Sequence, residues 1–466
     1  MSNKSETAKK KFGLLTTVAM IAGIVIGSGI FFQTPKVISA VNGNIWLGIS
    51  GYLIVASSII FGGISVSQFS RMDDKAGGLI RYCEIAWGKT LGFLAGWTQC
   101  VLYYPAIIAV VGWVAANYLF ALFGKANMLT SAQAYINGGL SSTVSLWTCA
   151  IAIILCIYTF NIVKTKYAGK FQSISLVAKL CALIFLTIVG LIFGEPLELF
   201  STADQFPANS SAMIAVLATI AFAYDGWLIA PTIAHEIKDA KKNLTKALIF
   251  APLLITIIYV LFFISLTSFV GPQAILDGAD PTAVLATSIF GDIGMKVIFS
   301  FVIISIFGSI NGLILVYIRT PYSLAIRNEI PFSKQLAKIN KKYDIPVNSA
   351  FVSLLVVLIW MFLHFSAVDG SIFLGWNFAE GLAIDILPIV IMYFFYSILY
   401  LGVMLNISKN FTKSKLLYRW IAPILALIGS LIIIFGAVSD PKFILYISIS
   451  AIVLLMGLLL KPRKNV

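Results

Sequence analysis

The sequence predicts an all-α polytopic membrane protein of twelve transmembrane helices, folded as a single domain over residues 1–466. The chain is 59% hydrophobic and only 11% charged, with a mean hydropathy of +0.96, far more apolar surface than a water-soluble fold uses. Its apolar residues fall into runs long enough to cross a bilayer, and its basic residues gather in alternate loops. The runs lie at roughly 13–41, 44–70, 83–121, 145–163, 168–194, 210–235, 245–270, 291–326, 347–366, 372–405, 416–437 and 441–460.

The polar leader at 1–11 runs into a span too long for the core of a signal peptide, and no small-residue cleavage site follows, so no cleavable signal is expected. With the N-terminus inside, all but five of the 33 Lys and Arg lie in cytoplasmic segments. The exceptions are Lys36, Lys125, Lys296 and Lys442 at the outer side, and Lys179 within a span. This asymmetry puts both termini in the cytoplasm and the chain in the cell membrane. The net charge of +14 is therefore a topology signal, and no nucleic-acid partner is expected. Two histidines and five scattered cysteines (Cys83, Cys100, Cys149, Cys156, Cys181) offer no metal-type spacing. No metal or cofactor is expected, and the cysteines read as reduced packing residues.

The loop at 327–347 is basic and amphipathic and should lie along the inner membrane surface. The outer segment 271–290 turns apolar at its end but is too short to span, which predicts a partial helix.

Span 1 contains Gly23-Ile24-Val25-Ile26-Gly27-Ser28-Gly29-Ile30-Phe31-Phe32. Gly23 and Gly27 form a G-x-x-x-G pair, which by itself fits a close helix contact, as does the pair Gly92 and Gly96 in span 3. The added Ser28-Gly29 favours a broken helix in span 1. A break at bilayer depth is tolerated only beside protein or a wet cavity. The amides that open the second half-helix then face an anion at a positive dipole end. A serine hydrolase does not fit, since the G-x-S-x-G frame needs Gly at 26 and 30 and both are Ile.

Span 6 is interrupted at Ala221-Phe222-Ala223-Tyr224-Asp225-Gly226-Trp227, with Pro231 after it. Asp225 reads either as a cap for the unwound turn or as a contact for a cationic ligand group. Phe222 and Tyr224 become gate candidates by their place at the break. Matching interruptions five spans apart predict an inverted repeat, 13–194 and 210–405, with spans 11 and 12 (416–460) added and the ligand between the broken helices.

Lys179 lies about eleven residues from the inner end of span 5, about 16 Å deep at ~1.5 Å per residue. A lysine at the bilayer centre costs about 2.5–3.5 kcal/mol on insertion scales, so it must face the bundle interior. There it either occupies the place of a coupling cation or titrates as a proton switch. His235 and Glu236 at an inner span end, and His364 near an outer one, carry no assigned chemistry. Glu380 and Asp385 are expected in the outer part of span 10, lining an outer vestibule.

Residues 23–32 resemble the G-x-x-I-G-S-G-I-F signature of amino acid–polyamine–organocation (APC) transporters. Phe222-Ala-Tyr-Asp-Gly-Trp227, Glu236-Ile-Lys, Asn243-Leu-Thr-Lys-Ala247, and Lys179 after Tyr167-Ala-Gly-Lys-Phe-Gln172 are similar to the L-type amino acid transporter branch. Gly308-Ser-Ile-Asn-Gly312 with Arg319 and Ile330-Pro331, and Gly77-Gly78 with Tyr82, resemble its eighth span and its 2–3 loop. The resemblance implies a leucine-transporter-type fold and exchange of α-amino acids by alternating access. It implies a substrate site of Val25, Gly27, Ser28, Gly29, Phe222, Ala223 and Asp225. Ser28 and Gly29 would hold the carboxylate, carbonyls of Val25, Phe222, Ala223 and Asp225 the ammonium, and Phe222 the outer gate. Lys179 would replace the sodium of sodium-coupled relatives near the Gly23 and Ile26 carbonyls, with Tyr259 close to it. Asp225 departs from animal members that carry a second glycine there.

The expected function is sodium-independent exchange of small neutral L-amino acids such as serine, threonine or alanine. The alternatives are a proton-coupled symporter and a cationic amino acid or polyamine carrier. No enzyme, channel or scaffold signature is present. The 3–4 loop (122–145) lacks a cysteine for a heavy-subunit disulfide, so no obligatory partner subunit is expected.

Overall fold

The computed structural model describes residues 13–27, 29–72, 78–123, 131–207, 210–228, 237–370, 375, 379–405, 416–438 and 441–462. The described secondary structure is helical, apart from an isolated bridge between Asn340 and Ile345. Among the described residues, ten helices are long and apolar enough to cross a membrane, and Leu14–Val25 with Gly29–Ala40 forms an eleventh, bent span. The expected twelfth, span 6, is described as the helix Ser210–Ala223 and the turn after it. Its continuation at 229–236, with Pro231, His235 and Glu236, lies outside the described residues, as do Ser28 and Gly77.

Span 2 is Ile45–Met72, span 4 ends the helix Ser131–Val163, span 5 is Thr165–Phe193 and span 7 is Ala240–Val270. Span 8 lies in Pro281–Tyr317, followed by span 9 (Val347–Val368), span 10 (Ile386–Met404), span 11 (within Leu417–Val438) and span 12 (Phe443–Leu460). Spans 2 and 7 pack on each other, as do spans 3 and 8. Span 3 also meets spans 4 and 9, and span 5 bridges spans 7 and 8. The first half of span 1 lies on span 7, and its second half on span 6.

One expected boundary is corrected by a glycine at positive φ, which a hydropathy pattern does not register. The run at 83–121 is two helices, Gly78–Trp87 and the span Lys89–Leu122, separated by Gly88 at φ 91°. The described helix of span 10 is Ile386–Met404, preceded by Gly381 at φ 71°, and the expected start at 372 lies outside the described residues. Asp385 therefore stands at the helix entrance, and Glu380 is exposed on the preceding turn. The partial helix expected in 271–290 is present. Asp280 Oδ1 accepts the Ala283 amide at 2.8 Å, Pro281 starts the helix, and Gly291 kinks it (φ 62°) before span 8.

Span 5 shows how sequence sets orientation. Ser175, Lys179, Leu183 and Leu186 are buried at helical spacing, while Ile174, Val177, Ile184, Phe185, Ile188 and Ile192 are exposed. The apolar stripe suits lipid, so the one charge in the middle of the span points inward. Gly92 makes the close contact expected of it, since a Cβ there would meet Glu84 Cβ at 2.9 Å and the Ile80 carbonyl at 3.0 Å.

Candidate functional site

Span 1 unwinds after Val25. Ile26 is extended (φ −68°, ψ 90°), its amide still bonded to the Ala22 carbonyl at 2.7 Å, and a new helix starts at Gly29 bent 51° from the first. The first amides of that helix have no acceptor within it and lie at its positive dipole end. Gly29 lies close against span 6: an added Cβ would sit 3.2 Å from Ala223 Cα and 3.5 Å from Phe222 Cδ1. The two breaks therefore meet face to face.

Span 6 ends its helix at Ala223 and turns through Asp225, whose amide bonds the Phe222 carbonyl at 3.1 Å, and Gly226 at φ 97°. Tyr259 of span 7, fully buried, joins both breaks. Its hydroxyl lies 3.2 Å from the Val25 carbonyl and 3.0 Å from the Ala223 carbonyl. One hydroxyl carries one proton, so it donates to one of these carbonyls at a time and leaves the other available. Both are carbonyls that the family resemblance assigns to an ammonium.

Lys179 is 1% exposed, and its Nζ donates to the Gly23 carbonyl at 2.7 Å. That is its one protein acceptor among the described residues, while an ammonium has three donors. The Ile26 carbonyl, expected to share Lys179, makes no such bond. Tyr259 bonds to the breaks and makes no described bond with Lys179. Gly23 lies tight against span 5, where an added Cβ would meet Leu176 Cδ1 at 2.7 Å. Ser309 of span 8 approaches Gly27, with its Oγ 3.2 Å from where a Cβ would be.

Asp225 is half-buried, and its Oδ2 accepts the Tyr103 hydroxyl at 2.5 Å. Sequence reasoning missed Tyr103, which comes from a π-helical turn in span 3 (Gln99–Tyr103). There the Tyr104 amide bonds Gln99 instead of Cys100, freeing the Cys100 carbonyl. Pro105 has no amide for Val101. Both orphaned carbonyls are taken by other spans: the Tyr317 hydroxyl donates to Cys100 at 2.6 Å, and Trp360 Nε1 to Val101 at 2.7 Å. Such turns recur at functional sites. Only the proline hinted at it in the sequence.

These groups enclose a cavity of about 270 Å³, lined among others by Gly27, Gly29, Tyr103, Lys179, Phe222 and Asp225. Tyr103, Gly226 and Val316 also border a second cavity of about 400 Å³, which reaches Arg319 and Arg327. On the other side, Asp385 Oδ2 accepts from Lys36 Nζ at 2.9 Å and from Gln33 Nε2 at 3.2 Å, bridging span 1 to the entrance of span 10. The expected site residues other than Ser28 and Ile26 are thus gathered around one cavity or one hydrogen bond from it. Ile26 contributes only its bent backbone, and Glu380 stands apart.

The described residues contain no group of three or more His, Cys, Asp or Glu placed to hold a metal ion. The serine/threonine exchanger SteT of Bacillus subtilis is 30% identical over 365 residues, which cover 78% of this chain and 79% of that protein. The human Asc-type amino acid transporter 1 is 25% identical, and the rabbit large neutral amino acids transporter small subunit 2 is 26% identical. The matches span 74% and 76% of this chain but 64% of each of those longer proteins. The amino acid permease profile matches residues 12–458, nearly the whole chain and both broken spans. With span 1 broken against the turn that ends the span 6 helix and a buried ammonium on the span 1 break, the chain belongs to the amino acid permease family.

Proposed function

We propose that the protein exchanges small neutral L-amino acids across the cell membrane without sodium, by alternating access and without an obligatory partner subunit, with both termini in the cytoplasm. The observation that carries this reading is the Lys179 ammonium on the Gly23 carbonyl at the span 1 break. A fixed cation there supplies the charge that a bound sodium supplies elsewhere, so a metal ion has no vacant role. The substrate carboxylate meets the amides that open the helix at Gly29, joined by the Ser28 hydroxyl. Its ammonium takes the carbonyl that Tyr259 leaves free at Val25 or Ala223, with the Phe222 and Asp225 carbonyls beside it. Phe222 closes the outer side.

The cavity supports a small substrate, since drug-sized ligands occupy sites of about 300–1,000 Å³. The names of the relatives, among them a serine/threonine exchanger, agree with amino acid exchange. A cationic or polyamine substrate fits less well, because Tyr103 already occupies one oxygen of Asp225 and Lys179 adds a positive charge to the same cavity.

The test is uptake of labelled serine into proteoliposomes in sodium-free buffer. Uptake is expected only into vesicles preloaded with serine, threonine or alanine. Gradient-driven uptake into empty vesicles identifies a proton symporter, and a sodium requirement removes the role given to Lys179.

A further inference from the structure

Beneath the loop that follows span 8 lies a cavity of about 600 Å³ that the transport site does not use. Its walls include Trp97 of span 3, Leu336 of the loop, Phe351 and Val352 of span 9, and Leu460 at the end of span 12. Phe351 is 60% exposed and Leu460 43%, so this apolar wall is open at the surface of the helix bundle, where spans 9 and 12 meet the membrane boundary. Phe332, also on the wall, holds φ 56° and is 76% exposed. An aromatic side chain rarely takes that backbone conformation. Here it presents an apolar ring at the rim of an apolar groove.

The loop is ordered around this groove. Asn348 Nδ2 donates to the Gln335 carbonyl at 3.0 Å, tying the loop to the first turn of span 9. The same loop carries Lys334, Lys338, Lys341 and Lys342, all exposed, and none is in an ion pair with a described acid. Lys334 stands between two groove residues, Phe332 and Gln335. An apolar slot open to lipid beside unpaired ammonium groups is complementary to an acyl chain carrying an anionic headgroup.

We propose that this groove binds an anionic glycerophospholipid, with one acyl chain between spans 3, 9 and 12 and the phosphate at Lys334 and Lys338. The lysines give it a preference for anionic over zwitterionic headgroups, and the groove gives it a defined place.

The experiment reconstitutes the full chain in an equal mixture of phosphatidylglycerol and phosphatidylcholine and reads retained lipid by native mass spectrometry. The native protein is expected to retain phosphatidylglycerol in excess of the bulk ratio. Lys334→Glu with Lys338→Glu should return the ratio to the bulk value, and Val352→Trp, which fills the groove, should lower the total retained. Both variants lie away from the substrate cavity, so serine exchange serves as the folding control. Retention at the bulk ratio by the native protein overturns the proposal, as does an unchanged ratio in the charge-reversed protein. Unchanged total retention in Val352→Trp overturns the groove as the place.

Discussion

Lys179 is held by one carbonyl, and that carbonyl belongs to the break it supports. Lys179→Ala removes the donor and leaves the Gly23 carbonyl buried without it. A hydrogen bond to a charged group contributes about 1.5–3 kcal/mol, so transport should fall roughly ten- to hundredfold while the amount of folded protein in the membrane is kept. Initial exchange rates normalised to surface protein check this, and wild-type exchange would remove Lys179 from the mechanism. Tyr103→Phe tests the residue that sequence reasoning missed. It strips a donor from Asp225, costing about 1–3 kcal/mol of site order. Substrate affinity measured by competition should weaken, while Tyr104→Phe, which keeps that donor, should not weaken it. Lys179, Gly27 and Asp225 were legible because a charge or a run of small residues at bilayer depth is costly and needs a reason. Tyr103 was not. Its direction is set by a π turn whose loose carbonyls are bound by Tyr317 and Trp360, more than two hundred residues away.

Among the elements, the broken helices depend on backbone contact. Gly29→Ala places a Cβ 3.2 Å from Ala223 Cα, tight but adjustable by a small shift. Gly29→Val adds two methyl groups at the same seam and should abolish substrate binding. The protein should remain monodisperse on size exclusion, since neither half-helix loses its own hydrogen bonds. Retained affinity in Gly29→Val would contradict the face-to-face packing of the breaks. Trp360→Phe is the matching test for span 3. The residue does not line the central cavity, yet its loss frees the Val101 carbonyl that stabilises the π turn. Affinity should fall through Tyr103 alone, so Trp360→Phe combined with Tyr103→Phe should be no worse than Tyr103→Phe. Long apolar runs made the spans readable, and the element misjudged was one ended by torsion rather than polarity. Gly88 at φ 91° splits the run at 83–121 into two helices. Hydropathy is blind to it.

For the whole molecule, the question is which side of the site is closed. The central cavity adjoins the one that reaches Arg319 and Arg327, on the basic-loop side. Opposite, Lys36 and Gln33 converge on Asp385 and fasten the second half of span 1 to span 10. The packing of span 2 on 7, span 3 on 8, span 3 on 9 and span 8 on 4 is what the expected inverted repeat would produce, and on that reading the two halves rock about a shared site. With the proposed orientation, the Lys36–Asp385 ion pair lies on the outer side and biases the resting balance toward the inward-facing state. Its strength is limited, because the Lys36 side chain is 53% exposed and the Asp385 side chain 12%. Exposed pairs contribute about 0.2–1 kcal/mol, which shifts a two-state balance by at most about fivefold. Asp385→Asn should therefore tighten the apparent affinity for external substrate and weaken that for internal substrate by a similar small factor, with maximal exchange little changed. Lys36→Asp should do the same, and the charge-swapped pair Lys36→Asp with Asp385→Lys should restore the native ratio. Half-saturation measured separately on the two faces of oriented vesicles decides it. Equal changes on both faces would mean that Asp385 acts on the substrate site itself, and no change would mean that outer closure rests on Phe222 and the packing of spans 1 and 6 without the ion pair.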